Sequence, residues 1–352
     1  MEIQITKTTN KGTLPEASTL GFGKVFTDHM FIMDYANGTW QNARIVPFQR
    51  LAIHPASTVL HYGSEIFEGL KAYRTKDGSV QLFRPLENIK RLNRSAERMC
   101  LPTLPEEETL EALKKFIEIE QDWVPSKEGT SLYIRPFMFG NDETLGVHSV
   151  KNATFVIITS PVGSYYKEGI NPVKIMIEDE DVRAVRGGTG EAKCGGNYAA
   201  STRAGQRAEQ KGYSQVLWLD GVERKYIEEV GAMNVMFKIN GKVVTPKLVG
   251  SILPGITRKS IIEILKAEGV EVEERLLSVD ELIESLENGT LEEAYGCGTA
   301  AVVSPIGELA YKGKVYQINN GKIGELTQHL YDTLTGIQWG NVEDKFGWVV
   351  KL

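Results

Sequence analysis

A single lysine, Lys193, sits in the run Val185-Arg-Gly-Gly-Thr-Gly-Glu-Ala-Lys-Cys-Gly-Gly-Asn-Tyr-Ala-Ala-Ser201, with Tyr198 five residues further on. Glycine lets a backbone turn tightly or approach another group closely. A lysine among such small residues has little bulk around its amine. An amine that its surroundings can render neutral is a nucleophile suited to Schiff-base chemistry with an aldehyde. The plainer reading of the same run is a solvated turn with a surface lysine. A phosphate-cradling P-loop is excluded: it ends in Gly-Lys-Ser/Thr, whereas Ala192 precedes this lysine and Cys194 follows it.

An aldehyde cofactor with a pyridine ring and a phosphate needs further groups from the protein. The ring nitrogen needs a carboxylate, so that it stays protonated and withdraws electrons. Tyr226-Ile-Glu-Glu-Val-Gly-Ala-Met-Asn234 supplies Glu228 and Glu229. Neighbours in a strand point to opposite faces, so one of them points inward and the other is expected to face solvent or a salt partner. The phosphate needs backbone N–H groups at a helix start and a cation. Leu253-Pro-Gly-Ile-Thr-Arg258 is a Pro-Gly turn running into a helix, Gly296-Cys-Gly-Thr-Ala-Ala301 is a second small-residue turn with a hydroxyl, and Arg91 is a candidate cation.

The elements that must position these groups are legible in outline. The 352 residues suggest two domains, and 41% hydrophobic with 24% charged residues is ordinary globular composition. A net charge of −6 argues against a general nucleic-acid binder. No apolar run reaches the roughly 18 residues of a membrane span, and the first residues lack a signal-peptide pattern, so a cytoplasmic protein is expected. Cys100, Cys194 and Cys297 are widely spaced and indicate neither a disulfide framework nor a metal site.

Strands are expected around residues 21–35, 79–83, 131–139, 153–159 and 215–220, with a hairpin around Asn240-Gly241. Leu86, Ile89, Leu92, Ala96 and Met99 recur at helical spacing behind Pro85, and place Arg91 on another face. Further helices are expected over 105–120, 199–211, 257–269 with Thr257 as cap, 278–286 opened by the capping box Ser278-Val-Asp-Glu281, and 323–334. Tyr133 and Arg135, two apart in a strand, share a face. The whole reads as an α+β chain in two halves: a smaller domain over 1–160, a linker over 161–172, and a larger domain over 173–352 that carries the lysine.

These stretches, in order, resemble the branched-chain amino-acid aminotransferases, pyridoxal-phosphate enzymes of fold type IV. The resemblance rests on Phe26-Thr-Asp-His-Met30, His61-Tyr62, Phe67-Glu-Gly-Leu-Lys71, Phe83-Arg-Pro85 with Asn88 and Arg91, and Tyr133-Ile-Arg-Pro136. It continues through Gly140-Asn141, Leu145-Gly-Val147, Lys193-Cys-Gly-Gly-Asn-Tyr198, Glu229-Val-Gly231, Leu253-Pro-Gly255 and Gly298-Thr-Ala300. It implies reversible transamination of L-leucine, L-isoleucine and L-valine with 2-oxoglutarate, with pyridoxal 5'-phosphate held as a Schiff base on Lys193.

By the resemblance, Glu229 pairs with the ring nitrogen and Tyr198 with the phenolic oxygen. Arg91, Ile256, Thr257 and Thr299 hold the phosphate. Thr299 and Ala300, with Tyr62, receive the substrate carboxylate, and Phe26, Phe67 and Tyr133 line the side-chain pocket. Leu145 and Val147 of a partner subunit close it, so a homodimer is implied. Because the pocket alternates between a branched chain and the carboxylate of glutamate, Arg135 with the tyrosine hydroxyls is the candidate receptor for that carboxylate. The chain departs from animal members in having Ala301 and Ser304 where they carry a Cys-x-x-Cys pair, and Ala232 where they have threonine. The alternative within the fold is a D-amino-acid aminotransferase or aminodeoxychorismate lyase. Those chains are shorter and lack Phe67-Glu-Gly-Leu-Lys71 and Tyr133-Ile-Arg-Pro136 as written here.

Overall fold

The computed structural model describes residues 1–163 and 170–352. The centre of the linker expected over 161–172 falls outside the described residues. The chain divides into two compact units. One comprises the described residues of Met1–Lys167 with Ala192–Gly195 and Gly336–Leu352; the other comprises those of Glu168–Glu191 with Gly196–Thr335. The four-residue segment holding Lys193 thus belongs to the first unit, while both of its flanks belong to the second.

In the first unit the strands β1 (Gln4–Ile5), β2 (His29–Ala36), β3 (Thr39–Pro47), β4 (Glu65–Phe67), β5 (Leu70–Arg74), β6 (Val80–Phe83), β7 (Ser131–Gly140) and β8 (Ala153–Val162) form one sheet. Its order is β1-β3-β2-β8-β7-β5-β6, and β4 pairs with β7 ahead of β5. The C-terminal strand Val349–Lys351 adds antiparallel to β6. No local signal marks that pairing. It is fixed by the tail, where Gln81 Nε2 donates to the carbonyls of Ile337 and Gln338 at 3.1 and 2.9 Å.

The short helix α1 (Thr58–Tyr62) ends at Gly63, whose φ of 61° is the left-handed cap that glycine supplies. Helices α2 (Pro85–Arg98) and α3 (Glu106–Ile119) cover one face of the sheet. Leu92 and Ala96 of α2 and Leu113 and Phe116 of α3 join Phe31, Ile66, Leu132, Ile134 and Phe155 in the first core. Pro85 stands at the start of α2 as expected. The opposite face of the sheet carries Phe67, Tyr133, Arg135 and Phe137, because the pleat sends alternate residues to alternate sides.

In the second unit β9 (Val173–Glu178), β10 (Gln215–Leu219), β11 (Ile227–Val230), β12 (Met233–Ile239), β13 (Lys242–Pro246), β14 (Val272–Arg275), β15 (Leu291–Gly298), β16 (Val302–Tyr311) and β17 (Lys314–Gln317) form a second sheet. Its order is β11-β10-β9-β16-β15-β12-β13-β14, and β11 also pairs with β12, which closes six strands into a ring. β10 is buried on both sides. Val216 and Trp218 meet Ala204 and Ala208 of α4 (Gly195–Gln210), whereas Leu217 and Leu219 enter the second core. That is why Val-Leu-Trp-Leu reads as an unbroken apolar run.

Helices α5 (Ile256–Ala267), α6 (Val279–Glu287) and α7 (Glu325–Gln338) complete the set. Two expectations need correction. Thr257 is not the cap of α5: Gly255 is, with φ −69° and ψ 134°, because Pro254-Gly255 already turns the chain and lets the helix begin one residue early. Helix α4 starts at Gly195 rather than at 199, which places Tyr198 in its first turn. The capping box of α6 is as expected, with Ser278 accepting from the Glu281 N–H at 3.1 Å. No helix among the described residues is long and apolar enough to cross a membrane.

Phe155 is 1% exposed and meets Phe31 edge-on at 6.1 Å. Phe155→Ala is expected to cost ~3–5 kcal/mol, read as a lower denaturant midpoint. An unchanged midpoint would contradict this packing of the first core.

Candidate active site

Three consecutive residues organise the candidate site residues of the first unit. Phe67 points to the open face of the sheet, Glu68 to the helix face, and Gly69 to the open face again. At Gly69 a Cβ would overlap the hydroxyl of Tyr133, so only glycine leaves room for that side chain. Glu68, 1% exposed, accepts a two-pronged hydrogen bond from Arg91: Nε to Oε1 at 2.7 Å and Nη2 to Oε2 at 2.9 Å. Asn88 Nδ2 adds a bond at 2.8 Å. Burial pushes the Glu68 pKa up, but the Arg91 charge and hydrogen bonds, the nearby Lys193 charge and Asn88 outweigh it and hold the carboxyl below its usual range.

Asn88, Arg91 and Ser95 lie three and four apart, so they form one buried polar stripe along α2. Ser95 Oγ accepts the Lys193 N–H at 2.9 Å, and the Lys193 carbonyl accepts the Phe67 N–H at 3.0 Å. The small neighbours Ala192 and Cys194, 2% and 1% exposed, pack into the first core. The lysine backbone is therefore pinned on all sides, while Nζ lies 4.9 Å from the centroid of the Phe67 ring. The Arg135 guanidinium lies over the same ring at 4.8 Å and over Tyr133 at 5.3 Å, and donates to the Tyr133 hydroxyl at 3.2 Å.

Phe26 stacks on Phe48 at 5.0 Å, and Tyr62, at the end of α1, is 42% exposed. Leu145 and Val147, between β7 and β8, are 72% and 83% exposed. Apolar side chains so exposed on one loop are the kind of surface a partner covers.

The second unit holds the carboxylates. Glu228 and Glu229 take different hydrogen-bond partners, and Glu228 does not face solvent: both are 3% exposed. Glu229 Oε1 accepts the Leu253 N–H at 2.7 Å and lies 3.4 Å from Arg183 Nη2. Glu228 Oε1 instead takes the Ser251 hydroxyl. Burial pushes the Glu228 pKa up against that bond and the Arg183 charge, and the Glu229 and Asp220 charges add to the rise. The solvent expectation fails because Ser251 packs against the Glu228 carboxylate and hydrogen-bonds it.

Close to Glu229, Asn234 Nδ2 donates to the Leu253 carbonyl at 2.9 Å, and a Cβ at Gly255 would strike Asn234 Oδ1. The Leu253-Pro-Gly255 turn is thereby held against the strand that follows Glu229. It delivers Ile256 and Thr257, 8% and 7% exposed, as the first residues of α5. Their N–H groups lack intrahelical acceptors, and no acidic residue occupies the first turn. Thr299 and Ala300 form the loop between β15 and β16, which Val302 closes with a φ of 61°. A β-branched residue in that region costs on the order of 1–3 kcal/mol and marks a loop held in one shape. Tyr198 is half-buried in α4, next to Asn197, whose Oδ1 accepts the Thr189 hydroxyl at 2.7 Å.

Glu68, Ser95, Arg183, Ser251 and Asn234 are not singled out by the sequence. The spacing of Asn88, Arg91 and Ser95 is an available signal, since three polar residues on one helical stripe beside the apolar one need a buried partner. Among the described residues, no group of three histidine, cysteine or acidic side chains is placed to hold a metal ion.

Comparison with known proteins identifies the family. The family model of amino-transferase class IV matches residues 65–309, more than half of the chain. Branched-chain-amino-acid aminotransferase 2 of Bacillus subtilis is 56% identical, over 99% of this chain and 97% of its own length. A probable branched-chain-amino-acid aminotransferase of Staphylococcus aureus is 57% identical, over 96% and 94%. The crystal structure of the Escherichia coli branched-chain amino acid aminotransferase superposes with a TM-score of 0.76 at 30% identity, over 92% of this chain and 98% of that one. A T.th. branched-chain amino acid aminotransferase, solved in complex with N-(5'-phosphopyridoxyl)-L-glutamate, gives a TM-score of 0.72 at 26% identity, over 90% and 97%.

Removing one partner of a buried ion pair leaves the other uncompensated, which costs roughly 3–5 kcal/mol. Arg91→Ala is therefore expected to destabilise the protein more than the double variant Glu68→Gln/Arg91→Met. Denaturant midpoints check this, and equal losses would show that the pair is not closed as described.

Proposed function

The chain belongs to the class IV aminotransferases and is one of the branched-chain-amino-acid aminotransferases, and from that membership we propose that it moves the amino group of L-leucine, L-isoleucine and L-valine reversibly to 2-oxoglutarate, with pyridoxal 5'-phosphate as cofactor and Lys193 as its catalytic lysine. The residues fit that group. Glu229 is a buried carboxylate held by an N–H and a guanidinium. The start of α5 offers N–H groups with no competing acid. The T.th. relative, crystallised with a phosphopyridoxyl-glutamate, supports the same assignment.

When bound, the cofactor supplies an electron-withdrawing ring that acidifies the proton on the substrate Cα. Lys193 Nζ is the base that takes that proton and returns it. Glu229 keeps the ring nitrogen charged, and the Leu253 N–H and Arg183 keep Glu229 ready to do so by stabilising its negative charge. Tyr198 donates to the phenolic oxygen. Arg91, oriented by Glu68, acts on the phosphate with Ile256, Thr257 and Thr299. Thr299 and Ala300 offer N–H groups to the substrate carboxylate, with the Tyr62 hydroxyl.

One observation carries the choice of substrates. A lysine amine and a guanidinium both lie over the Phe67 ring, at 4.9 and 4.8 Å from its centroid. The wall beside the reacting amine is therefore apolar, as a branched side chain requires, yet holds a cation for the distal carboxylate of glutamate. Phe26, Phe67 and Tyr133 exclude water around the side chain. The exposed Leu145 and Val147 complete the pocket of a second subunit, so the active form is at least a homodimer.

The test is steady-state transamination by Arg135→Ala. KM for 2-oxoglutarate is expected to rise about tenfold or more, the worth of one lost charge-assisted contact, with a much smaller change for L-leucine. Equal losses for both substrates would refute the role of Arg135.

A further inference from the structure

Glu228 and Glu229 are consecutive and both buried, and the proposed chemistry needs a negative charge on Glu229 alone. Two carboxylates sharing one site do not both ionise readily, so a fixed cation beside one of them decides which does. Arg183, in the loop between β9 and α4, is 8% exposed, and a guanidinium stays charged when buried. Its segment is held from two sides. A Cβ at Gly190 would strike the Ser251 carbonyl and the Ala184 side chain, and a Cβ at Gly221 would strike the Ala184 carbonyl. Arg183 Nη2 donates to the carbonyls of Ser251 and, at 3.2 Å, Gly190, and lies 3.4 Å from Glu229 Oε1. Glu228 is held differently. Its Oε1 bonds the Ser251 hydroxyl, and its Oε2 is buried with no hydrogen-bond partner. A buried oxygen left bare is costly on a charged carboxylate and far less so on a neutral carboxyl.

We propose that Arg183 is a positioning residue that places the single negative charge of this pair on Glu229 and keeps Glu228 a silent competitor for it. The inference rests on the reading of Glu229 as the partner of the ring nitrogen. Ser251 serves both halves of the arrangement: its carbonyl helps to seat the guanidinium, and its hydroxyl occupies Glu228. Burial, opposed by that hydroxyl and by the Arg183 charge, pushes the Glu228 pKa up, in the direction a silent neighbour requires. Without the guanidinium both glutamates keep a neutral donor, the Ser251 hydroxyl on Glu228 and the Leu253 N–H on Glu229. The charge is then divided between them, and Glu229 loses part of its hold on a protonated ring. Replacing Glu228 in that setting returns the charge to Glu229, whereas replacing it beside an intact Arg183 changes nothing.

Two readouts test this: the dissociation constant for pyridoxal 5'-phosphate, from fluorescence titration, and the infrared band of protonated carboxyl groups in the loaded enzyme. Glu228→Gln is expected to leave the dissociation constant unchanged and to remove intensity from that band, because the group is already neutral. Arg183→Gln keeps an amide to donate to the neighbouring carbonyls and removes the charge. It is expected to weaken the cofactor about tenfold or more, the worth of one hydrogen bond to a charged group. The double variant Arg183→Gln/Glu228→Gln is expected to recover about threefold or more of that loss, the size of a coupling within one charge network. A loss without recovery would show that Arg183 only holds its loop, and overturns the proposal. So does a Glu228→Gln variant that binds the cofactor more weakly. Should Arg183→Gln fold poorly, the infrared band still decides: it must shrink in Glu228→Gln and persist in Glu229→Gln, and the reverse overturns the proposal. Glu229→Gln also separates the two readings. If it weakens the cofactor while Arg183→Gln does not, only the role of Arg183 falls. If it leaves the cofactor unaffected, the role of Glu229 falls and that of Arg183 with it.

Discussion

A strand must send successive side chains to opposite faces of its sheet, and the candidate site of the first unit depends on that constraint at Phe67-Glu-Gly69. Phe67 serves the open face as the ring under the lysine amine. Glu68 serves the covered face, where it fixes the guanidinium of Arg91 on α2. Gly69 returns to the open face as an absence, which the Tyr133 hydroxyl fills. A shift of one residue in register would invert all three. The extensive pairing of β7 with β8, and of β4 with β7, holds the register in place. The lysine segment then docks onto this frame by its backbone, through Ser95 and Phe67, so that its position does not depend on where its own side chain reaches.

The second unit meets a similar requirement with two adjacent glutamates. Of the two, Glu229 is the one proposed to serve a cofactor's ring nitrogen. The other is still buried, covered by Ser251. The protein resolves this electrostatically: Glu228 is pushed toward its neutral form and bonded by Ser251, while Glu229 is given a backbone N–H and Arg183. Two negative charges side by side in that interior would oppose each other.

What is legible in the sequence follows from how local each signal is. The apolar spacing behind Pro85, the Ser278 capping box and the Asn240-Gly241 turn are settled within a few residues, and α2, α6 and the β12–β13 hairpin stand where those signals put them. The start of α4 is hidden because Gly195-Gly196-Asn197 reads as a breaker. There the Glu65 carboxylate, 130 residues earlier, accepts the first N–H and lets the helix begin. Thr257 has the side-chain type of a cap, yet the backbone of Gly255 caps α5. The edge strand Val349–Lys351 and the burial of Glu228 both depend on pairings across the sheet that no local pattern displays. For the site, residue types and order single out Lys193, Arg91 and the pair Glu228 and Glu229 as candidates, and the family resemblance chooses Glu229. The side chains that orient Arg91 and Glu229, Glu68 and Arg183, emerge only from the folded chain.

Lys193 and Glu229 are proposed to act on one pyridoxal-phosphate cofactor to carry amino groups from branched-chain amino acids to 2-oxoglutarate. The visible absorption spectrum of the purified, cofactor-loaded protein tests this most directly, recorded before and after L-leucine and again after 2-oxoglutarate. The predicted result is a visible band that leucine bleaches and 2-oxoglutarate restores, with no such cycle in Lys193→Ala. A band indifferent to leucine, or a cycle that survives in Lys193→Ala, would contradict it.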